Sequence, residues 1–355
     1  MSARVCKIRE KIKFCNLDAL LITNPINCRY LSGFTGSSGV LLITNEEAIL
    51  MTDFRYLEQA AVQATDFKVE QASSDFSEGL ARLVKKFELK KIGFEAEHIS
   101  YATYCTYLNA LGKASLIPTE GLVEEIRMIK DEQEIQLIKK AASIADQAFD
   151  YIINLVKPGV TEKFLAWELE KFMREEGAEK LSFDTIVASG ERGALPHGLA
   201  SDRKIEKGDF ITFDFGAVYQ GYHSDLTRTI AVGPISAEQE RVYKLVLSAQ
   251  MEAINKLAPG YTGKEIDEIA RNIIKEKGYG EYFGHGLGHG VGLAVHEEPR
   301  LAVNSNLFLK PGMVVTVEPG IYIPSRFGLR IEDMVLLTEE GCTVLTTACK
   351  KLIIL

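Results

Sequence analysis

The six cysteines of this 355-residue chain (Cys6, Cys15, Cys28, Cys105, Cys342 and Cys349) include no Cys-x-x-Cys pair. That absence argues against a zinc knuckle or a disulfide framework and for reduced thiols. No apolar run is as long as a membrane span. Met1 to Phe14 alternates charge with short apolar steps, so it lacks the apolar segment of a secretory signal. Basic residues form no stripe, and a net charge of −8 argues against a nucleic-acid partner. These absences predict a soluble, cytoplasmic protein that binds neither membrane nor nucleic acid. What remains is ordinary for a globular chain, with 46% hydrophobic and 25% charged residues. Its length predicts two domains.

Residues 1–121 read as an α/β unit of short elements. Ala19-Leu20-Leu21-Ile22 and Gly39-Val40-Leu41-Leu42-Ile43 are apolar runs bounded by turn residues, which predicts strands. The glycine-rich stretch from Ser32 to Gly39 lacks the lysine and spacing of a phosphate loop and reads as a tight turn. His98 reads as a surface or turn residue. A helical pattern then runs from about Glu124 to Val156, with apolar residues at steps of three and four, and stops at Pro158-Gly159. The boundary is expected at residue 121, leaving 122–355 as a second domain.

That second domain repeats itself. Asn154, Pro158, Gly159, Thr161 and Gly177 recur 101 residues later as Asn255, Pro259, Gly260, Thr262 and Gly278. Each copy predicts a Thr N-cap and an amphipathic helix ending at the glycine. Further on, Gly208-Asp209-Phe210-Ile211-Thr212-Phe213-Asp214-Phe215-Gly216 matches Gly312-Met313-Val314-Val315-Thr316-Val317-Glu318-Pro319-Gly320 at an offset of 104. By Asp225 and Glu332 the offset is 107, as small insertions in the second copy would produce. Two copies make a duplication, not a solenoid.

A carboxylate on a strand of Ile, Phe and Val costs free energy if buried unpaired. Finding it at matched places in both halves points to a shared purpose, and Asp214, Asp225, His289, Glu318 and Glu332 together fit a two-metal site. A two-residue turn at Gln220-Gly221 puts Asp214 opposite Thr227 with Asp225 diagonal to it. A turn one residue earlier makes Asp214 and Asp225 direct partners. Either way the carboxylates are about 5–7 Å apart, and without a cation one of them would keep its proton. Glu318 and Glu332 are expected to repeat the arrangement, with Arg330 on the same face as Glu332. The glycines from Gly284 to Gly292 predict a shaped loop that brings His289 inward. Oxygen ligands with one imidazole suit Mn²⁺, Co²⁺, Fe²⁺ or Zn²⁺. Two such ions would activate water and polarise a carbonyl, a hydrolase arrangement. Singly, blander readings exist: Asp225 paired with Arg228, Glu332 with Arg330, His289 as a structural residue. Jointly they leave the repeat a coincidence. His197, His285, His296 and His223 carry less weight as single residues.

The ordered set Phe213-Asp214-Phe215-Gly216, His223-Ser224-Asp225-Leu226-Thr227-Arg228-Thr229, Gly284-His285-Gly286-Leu287-Gly288-His289, His296-Glu297-Glu298-Pro299, Val317-Glu318-Pro319-Gly320 and Arg330-Ile331-Glu332-Asp333 resembles the Xaa-Pro peptidases, which span Xaa-Pro aminopeptidase and prolidase. In residues 1–121, Asn27 to Ser37 and Thr52 to Tyr56 resemble the creatinase-like N-terminal domains of that group. The resemblance implies an α/β N-terminal domain followed by an α+β pita-bread catalytic domain with a pseudo-twofold repeat. It implies a homodimer and two divalent metal ions, Mn²⁺ or Co²⁺ foremost, with Fe²⁺ or Zn²⁺ accepted. Asp214, Asp225, His289, Glu318 and Glu332 would bind the ions, and Glu318 would also shuttle protons. His197 and His296 would contact substrate and stabilise the tetrahedral intermediate. His285, Tyr322 and Arg330 would order the site or hold substrate. Substrates would be peptides with proline second. The alternatives are a methionine aminopeptidase-like enzyme and a non-catalytic binding protein of the same fold; the intact ligand set speaks against the latter.

Overall fold

The apolar runs Ala19–Ile22 (β1) and Gly39–Thr44 (β2) are strands, as their composition predicts, and they pair antiparallel. The computed structural model describes residues 3–73 and 75–355, which fall into two units, Met1–Arg127 and Met128–Leu355. In the first unit, β3 (Ala48–Thr52), β4 (Lys68–Gln71), β5 (Lys91–Glu95) and β6 (Ser115–Thr119) complete a six-stranded mixed sheet ordered β4-β3-β2-β1-β5-β6. The central strands β1 and β3 are buried at every residue, which is why they read as continuous apolar runs instead of alternating ones. Of helices α1 (Ala3–Phe14), α2 (Pro25–Ser32), α3 (Leu57–Gln63), α4 (Ser77–Lys86) and α5 (Tyr101–Ala110), the last two bury Leu80, Leu83 and Tyr107 in one core with Leu21, Leu42 and Ile92. The glycine-rich stretch begins with Gly33, which closes α2 at φ 77°, and His98 is exposed in a turn.

The helix expected from Glu124 to Val156 is two helices, α6 (Glu124–Arg127) and α7 (Glu132–Ile152). Asp131 starts α7 with a capping box. Its carboxylate accepts the Glu134 N–H at 2.9 Å, and the Glu134 carboxylate accepts the Asp131 N–H at 3.0 Å. This reciprocal pair satisfies amides that a helix start leaves orphaned, so the chain breaks there despite its unbroken apolar period.

The second unit is built twice, as the repeat predicts. Thr161 and Thr262 cap α8 (Glu162–Glu175) and, after α9 (Ala237–Lys256), α10 (Gly263–Glu276). Gly177 and Gly278 follow α8 and α10 at φ 99° and 84°, left-handed positions that other residues strain to adopt. In the first half, β8 (Ile186–Ser189), β9 (Phe210–Phe215) and β12 (Leu226–Ala231) form a sheet ordered β12-β9-β8. A smaller one joins β7 (Lys180–Leu181), β10 (Ala217–Tyr219) and β11 (Tyr222–His223). In the second half, β13 (Gly288–Gly290), β14 (Glu297–Leu301), β15 (Val314–Val317), β18 (Asp333–Leu337) and β19 (Cys342–Val344) form a five-stranded sheet, and β16 (Gly320–Ile323) pairs with β17 (Phe327–Arg330). Each half has its own core. Ile211, Phe213, Phe215, Leu226 and Ile230 pack with Leu165 and Leu169, whereas Val315, Val317, Val335 and Leu337 pack with Val246, Ile266 and Ala270. Burying such side chains stabilises by roughly 1.5–3 kcal/mol each. Strand alternation therefore turns Thr212, Asp214, Thr316 and Glu318 away from these cores.

Candidate active site

The hairpin turn is the two-residue one. Gln220 and Gly221 both have positive φ, 47° and 84°, between the paired Tyr219 and Tyr222. This geometry suits a tight hairpin, and its register puts Asp214 opposite Thr227. Asp225, two residues before Thr227, is therefore diagonal to Asp214. The second half does not repeat this arrangement as expected. Its register runs through Val317↔Asp333 and Gly320↔Arg330, which sets Glu318 directly across from Glu332. The growth in offset from 104 to 107 thus has two sources. One is the extra residue in the turn between Ile323 and Phe327. The other is the two-residue difference in where the second carboxylate sits.

His289 lies on the short strand β13, not in a loop. The glycines beside it are there for room: a Cβ on Gly288 would stand 2.0 Å from the Thr316 carbonyl oxygen, and one on Gly290 2.3 Å from that of Glu298. Close backbone approach, not turning, explains these two glycines. The imidazole is oriented by its own neighbour. The Gly290 carbonyl, 3.1 Å from Nδ1, can only accept, so Nδ1 carries the proton and Nε2 faces the acids. Nε2 stands 3.5 Å from Asp225 Oδ2 and 3.3 Å from Glu318 Oε1.

Asp225, His289 and Glu332 are all buried and offer ligand atoms within 4.8 Å of one another, an arrangement that could hold a metal ion. Asp214 sits against the Arg330 guanidinium instead. Burial raises the pKa of Asp214, and burial plus the neighbouring acids raise those of Asp225 and Glu332 well above the carboxylate range. Glu318 differs: burial works against its ionised form, but the His289 hydrogen bond and charge bring it down to about 2. Oε2 of Glu332 accepts the Thr227 hydroxyl at 2.7 Å, while its buried Oε1 meets no donor among the described residues. Buried carboxylates around an imidazole nitrogen and an unsatisfied oxygen fit a divalent cation, and the donor types suit a first-row metal.

The weaker candidates also gather here. The His296 ring meets that of His289 edge to face at 4.4 Å, and His197 lies within electrostatic reach of His296. Both are exposed, at the rim of the site. His285 Nε2 is 3.0 Å from the Tyr322 hydroxyl, which Arg330 Nη1 contacts at 2.7 Å. The blander pairings fail: Arg228 bonds Asp333 rather than Asp225, and Arg330 bonds Asp214.

Several supporting residues went unread in the sequence. The Thr316 hydroxyl accepts the His289 N–H at 3.0 Å and donates to Glu318 Oε1 at 3.1 Å. The buried Arg228 donates to Asp333 Oδ1 at 2.7 Å and to the backbone oxygen of Glu332. One signal for Thr316 was present: Thr212 and Thr316 hold the same 104-residue offset, two places before each central carboxylate.

Residues 136–339 match the family model of metallopeptidase family M24, and residues 4–129 match the creatinase/prolidase N-terminal domain. The chain belongs to metallopeptidase family M24. An uncharacterised peptidase of Bacillus subtilis is 48% identical, over 98% of this chain and 99% of its own length. Among solved structures, a Xaa-Pro dipeptidase from Bacillus anthracis is 49% identical with a TM-score of 0.97, covering 99% of each chain. The prolidase of Pyrococcus horikoshii is 42% identical with a TM-score of 0.94, over 99% of this chain and 100% of its own. A creatinase-like N-terminal domain before a pita-bread catalytic domain is thus the architecture, and the protein is a metallopeptidase. No helix among the described residues is long and apolar enough to cross a membrane.

Proposed function

We propose that this M24 peptidase hydrolyses the bond between an N-terminal residue and a following proline, with two divalent metal ions held by Asp214, Asp225, His289, Glu318 and Glu332. The observation that carries the metal site is the buried cluster of Asp225, His289 and Glu332, with one oxygen of Glu332 facing no donor. The substrate class is supported by full-length relatives named Xaa-Pro dipeptidase and prolidase, and by an X-Pro aminopeptidase from Thermotoga maritima at 43% identity. Mn²⁺ or Co²⁺ suits the donors best, with Fe²⁺ or Zn²⁺ compatible. The family resemblance supports a homodimer, and six unpaired cysteines support a cytoplasmic setting.

Bound divalent ions supply Lewis-acid polarisation of the scissile carbonyl and acidify a water. The rest falls to side chains. Glu318, steadied by the Thr316 hydroxyl, accepts the proton of the attacking water. It passes that proton to the proline nitrogen, a tertiary amide nitrogen that must be protonated to leave. His197 and His296, at the rim, donate to the carbonyl oxygen as charge develops on it. Arg330 holds both Asp214 and Tyr322 in place.

Cleavage of an Xaa-Pro dipeptide and an Xaa-Pro-Yaa tripeptide, with Mn²⁺ supplied, tests the assignment. Release of the first residue from the tripeptide makes the enzyme an aminopeptidase, and cleavage of the dipeptide alone makes it a prolidase. Inertness toward both, with metal bound, refutes the substrate class.

A further inference from the structure

The segment that carries His197 leaves β8 at Ser189 and returns at Ser201. One carboxylate holds both ends. Glu162, the first residue of α8, is 0% exposed. Its Oε1 accepts the Ser189 N–H at 2.8 Å and hydroxyl at 2.7 Å. Its Oε2 accepts the Ser201 N–H at 3.0 Å, the Ser201 hydroxyl at 2.6 Å, and Arg192 Nη1. Arg192 Nη2 crosses the loop to the Leu199 carbonyl at 2.7 Å, and Arg330 Nη1 reaches the Pro196 carbonyl at 3.3 Å. His197 thus rides between a residue tied to the site and a neck tied to one buried acid.

A buried carboxylate is costly unless its oxygens are filled, and five donors from one loop fill these. The other half does the same thing differently. Asp267 of α10, also 0% exposed, accepts Arg271 Nε at 2.7 Å and the Leu287 N–H at 3.0 Å. Arg271 then donates to the carbonyls of Phe283 at 2.9 Å and His285 at 2.7 Å. Each half therefore commits a buried acid and an arginine to the loop bearing a histidine of the site. The two acids are not equivalents in the repeat, since Gly263 stands where Glu162 would recur. The shared arrangement therefore belongs to the task of the loops and not to duplicated architecture.

We propose that Glu162 is a positioning residue that sets the place of His197 relative to the scissile carbonyl. This rests on His197 contacting the substrate. Glu162→Gln turns one acceptor oxygen into an NH₂ facing N–H and O–H donors and strips Arg192 of its charge partner. The loop then loses its neck, and misplacement by about 1 Å costs up to ~100-fold in turnover. The fall appears in kcat rather than KM, because the interaction is made in the transition state.

The test is a double-mutant cycle on the metal-loaded enzyme. It compares Glu162→Gln, His197→Ala and the pair, reading kcat, KM and bound metal. The expected result is an about 10- to 100-fold loss of kcat for Glu162→Gln that vanishes in the His197→Ala background, with bound metal unchanged. An equal loss in both backgrounds, or none in either, overturns the proposal and leaves the role of His197 standing. Unchanged turnover for His197→Ala instead overturns the reading of the site, and the proposal with it. Should Glu162→Gln not fold, Arg192→Met, at a part-exposed position, takes its place in the cycle, and the same outcomes support or overturn the proposal.

Discussion

The Thr227 hydroxyl donates to Glu332 Oε2 at 2.7 Å and thereby joins the first half of the repeat to a carboxylate of the second. The same hydroxyl oxygen accepts Arg330 Nε at 3.1 Å. One threonine thus aims an acid of the site and helps to seat the arginine that holds Asp214. Partners that orient a metal ligand typically contribute 10- to 100-fold to metal affinity. Thr227→Val keeps the shape and removes the bond, so Mn²⁺ affinity should fall by about that factor in calorimetric titration. Unchanged affinity would show that Glu332 needs no such support.

Asp225 and His296 separate binding from turnover. Asp225→Asn removes charge from the buried cluster, and both bound metal and nearly all hydrolysis should be lost. His296 lies at the rim, its ring edge to face with His289. His296→Ala should lower kcat about 10- to 1000-fold with metal content intact by atomic absorption. Metal loss in that variant would mean the site extends to His296.

Much of this was legible because strand and helix periods leave marks in sequence. Period-two alternation in Phe210–Phe215 shows which side Asp214 faces, whereas the turn left two registers open and the folded hairpin selects the one that sets Asp214 opposite Thr227. The caps at Thr161 and Thr262 and the glycines after both helices were visible for the same local reason. Three things were not read. The break before α7 turns on Asp131 and Glu134 trading hydrogen bonds, which competes with an unbroken apolar period and wins. His289 reads as a loop residue because glycines that admit a neighbouring backbone look like glycines that turn one. The links from Thr227 to Glu332 and from Arg228 to Asp333 span more than a hundred residues, and only the packing of the two halves creates them.

A chain of hydrogen bonds whose directions are forced runs behind the site. The Gly286 carbonyl, 2.7 Å from His285 Nδ1, can only accept. Burial lowers the pKa of His285, so the ring is neutral at pH 7 and Nε2 is an acceptor. The Tyr322 hydroxyl donates to it at 3.0 Å and accepts Arg330 Nη1 at 2.7 Å. Tyr322→Phe leaves a buried donor and a buried acceptor unmatched, at a cost of about 1–3 kcal/mol. Expected outcomes are a lower melting temperature and roughly tenfold lower kcat, as Arg330 loosens its hold on Asp214. Wild-type kinetics and melting would remove Tyr322 from the site's support.

Arg228 and Asp333 are each 1% exposed and lie on the side of the strands opposite the site. Arg228 also donates to the backbone of Glu332 and Ala348, so the pair ties a ligand-bearing strand into place. Breaking a buried pair on one side leaves the other charge uncompensated, at a cost of about 3–5 kcal/mol. Asp333→Ala should lose about that much stability in urea unfolding of the metal-free protein. Loss within error of a surface substitution would show that Lys350 and Gln250, which also donate to Asp333, are not relying on it.

Glu332 gives the site a pH signature that can be isolated without metal. Burial, then the charges of Glu318 and Asp214, raise its pKa well above the ordinary 4.5. The folded protein therefore holds this proton more tightly than the unfolded chain. For such a group the unfolding free energy falls as pH rises from about 4.5 toward the folded value. Glu332→Gln is isosteric and cannot titrate, so it escapes that loss. The metal-free variant should melt above the metal-free wild type at neutral pH, and the gap should close as pH drops below 4.5. Saturating Mn²⁺ should reverse the order at neutral pH, since a cation that binds only the folded state stabilises the wild type by mass action. Parallel melting curves at every pH would mean that the buried acids do not repel one another, and the physical case for a cation among them would fall.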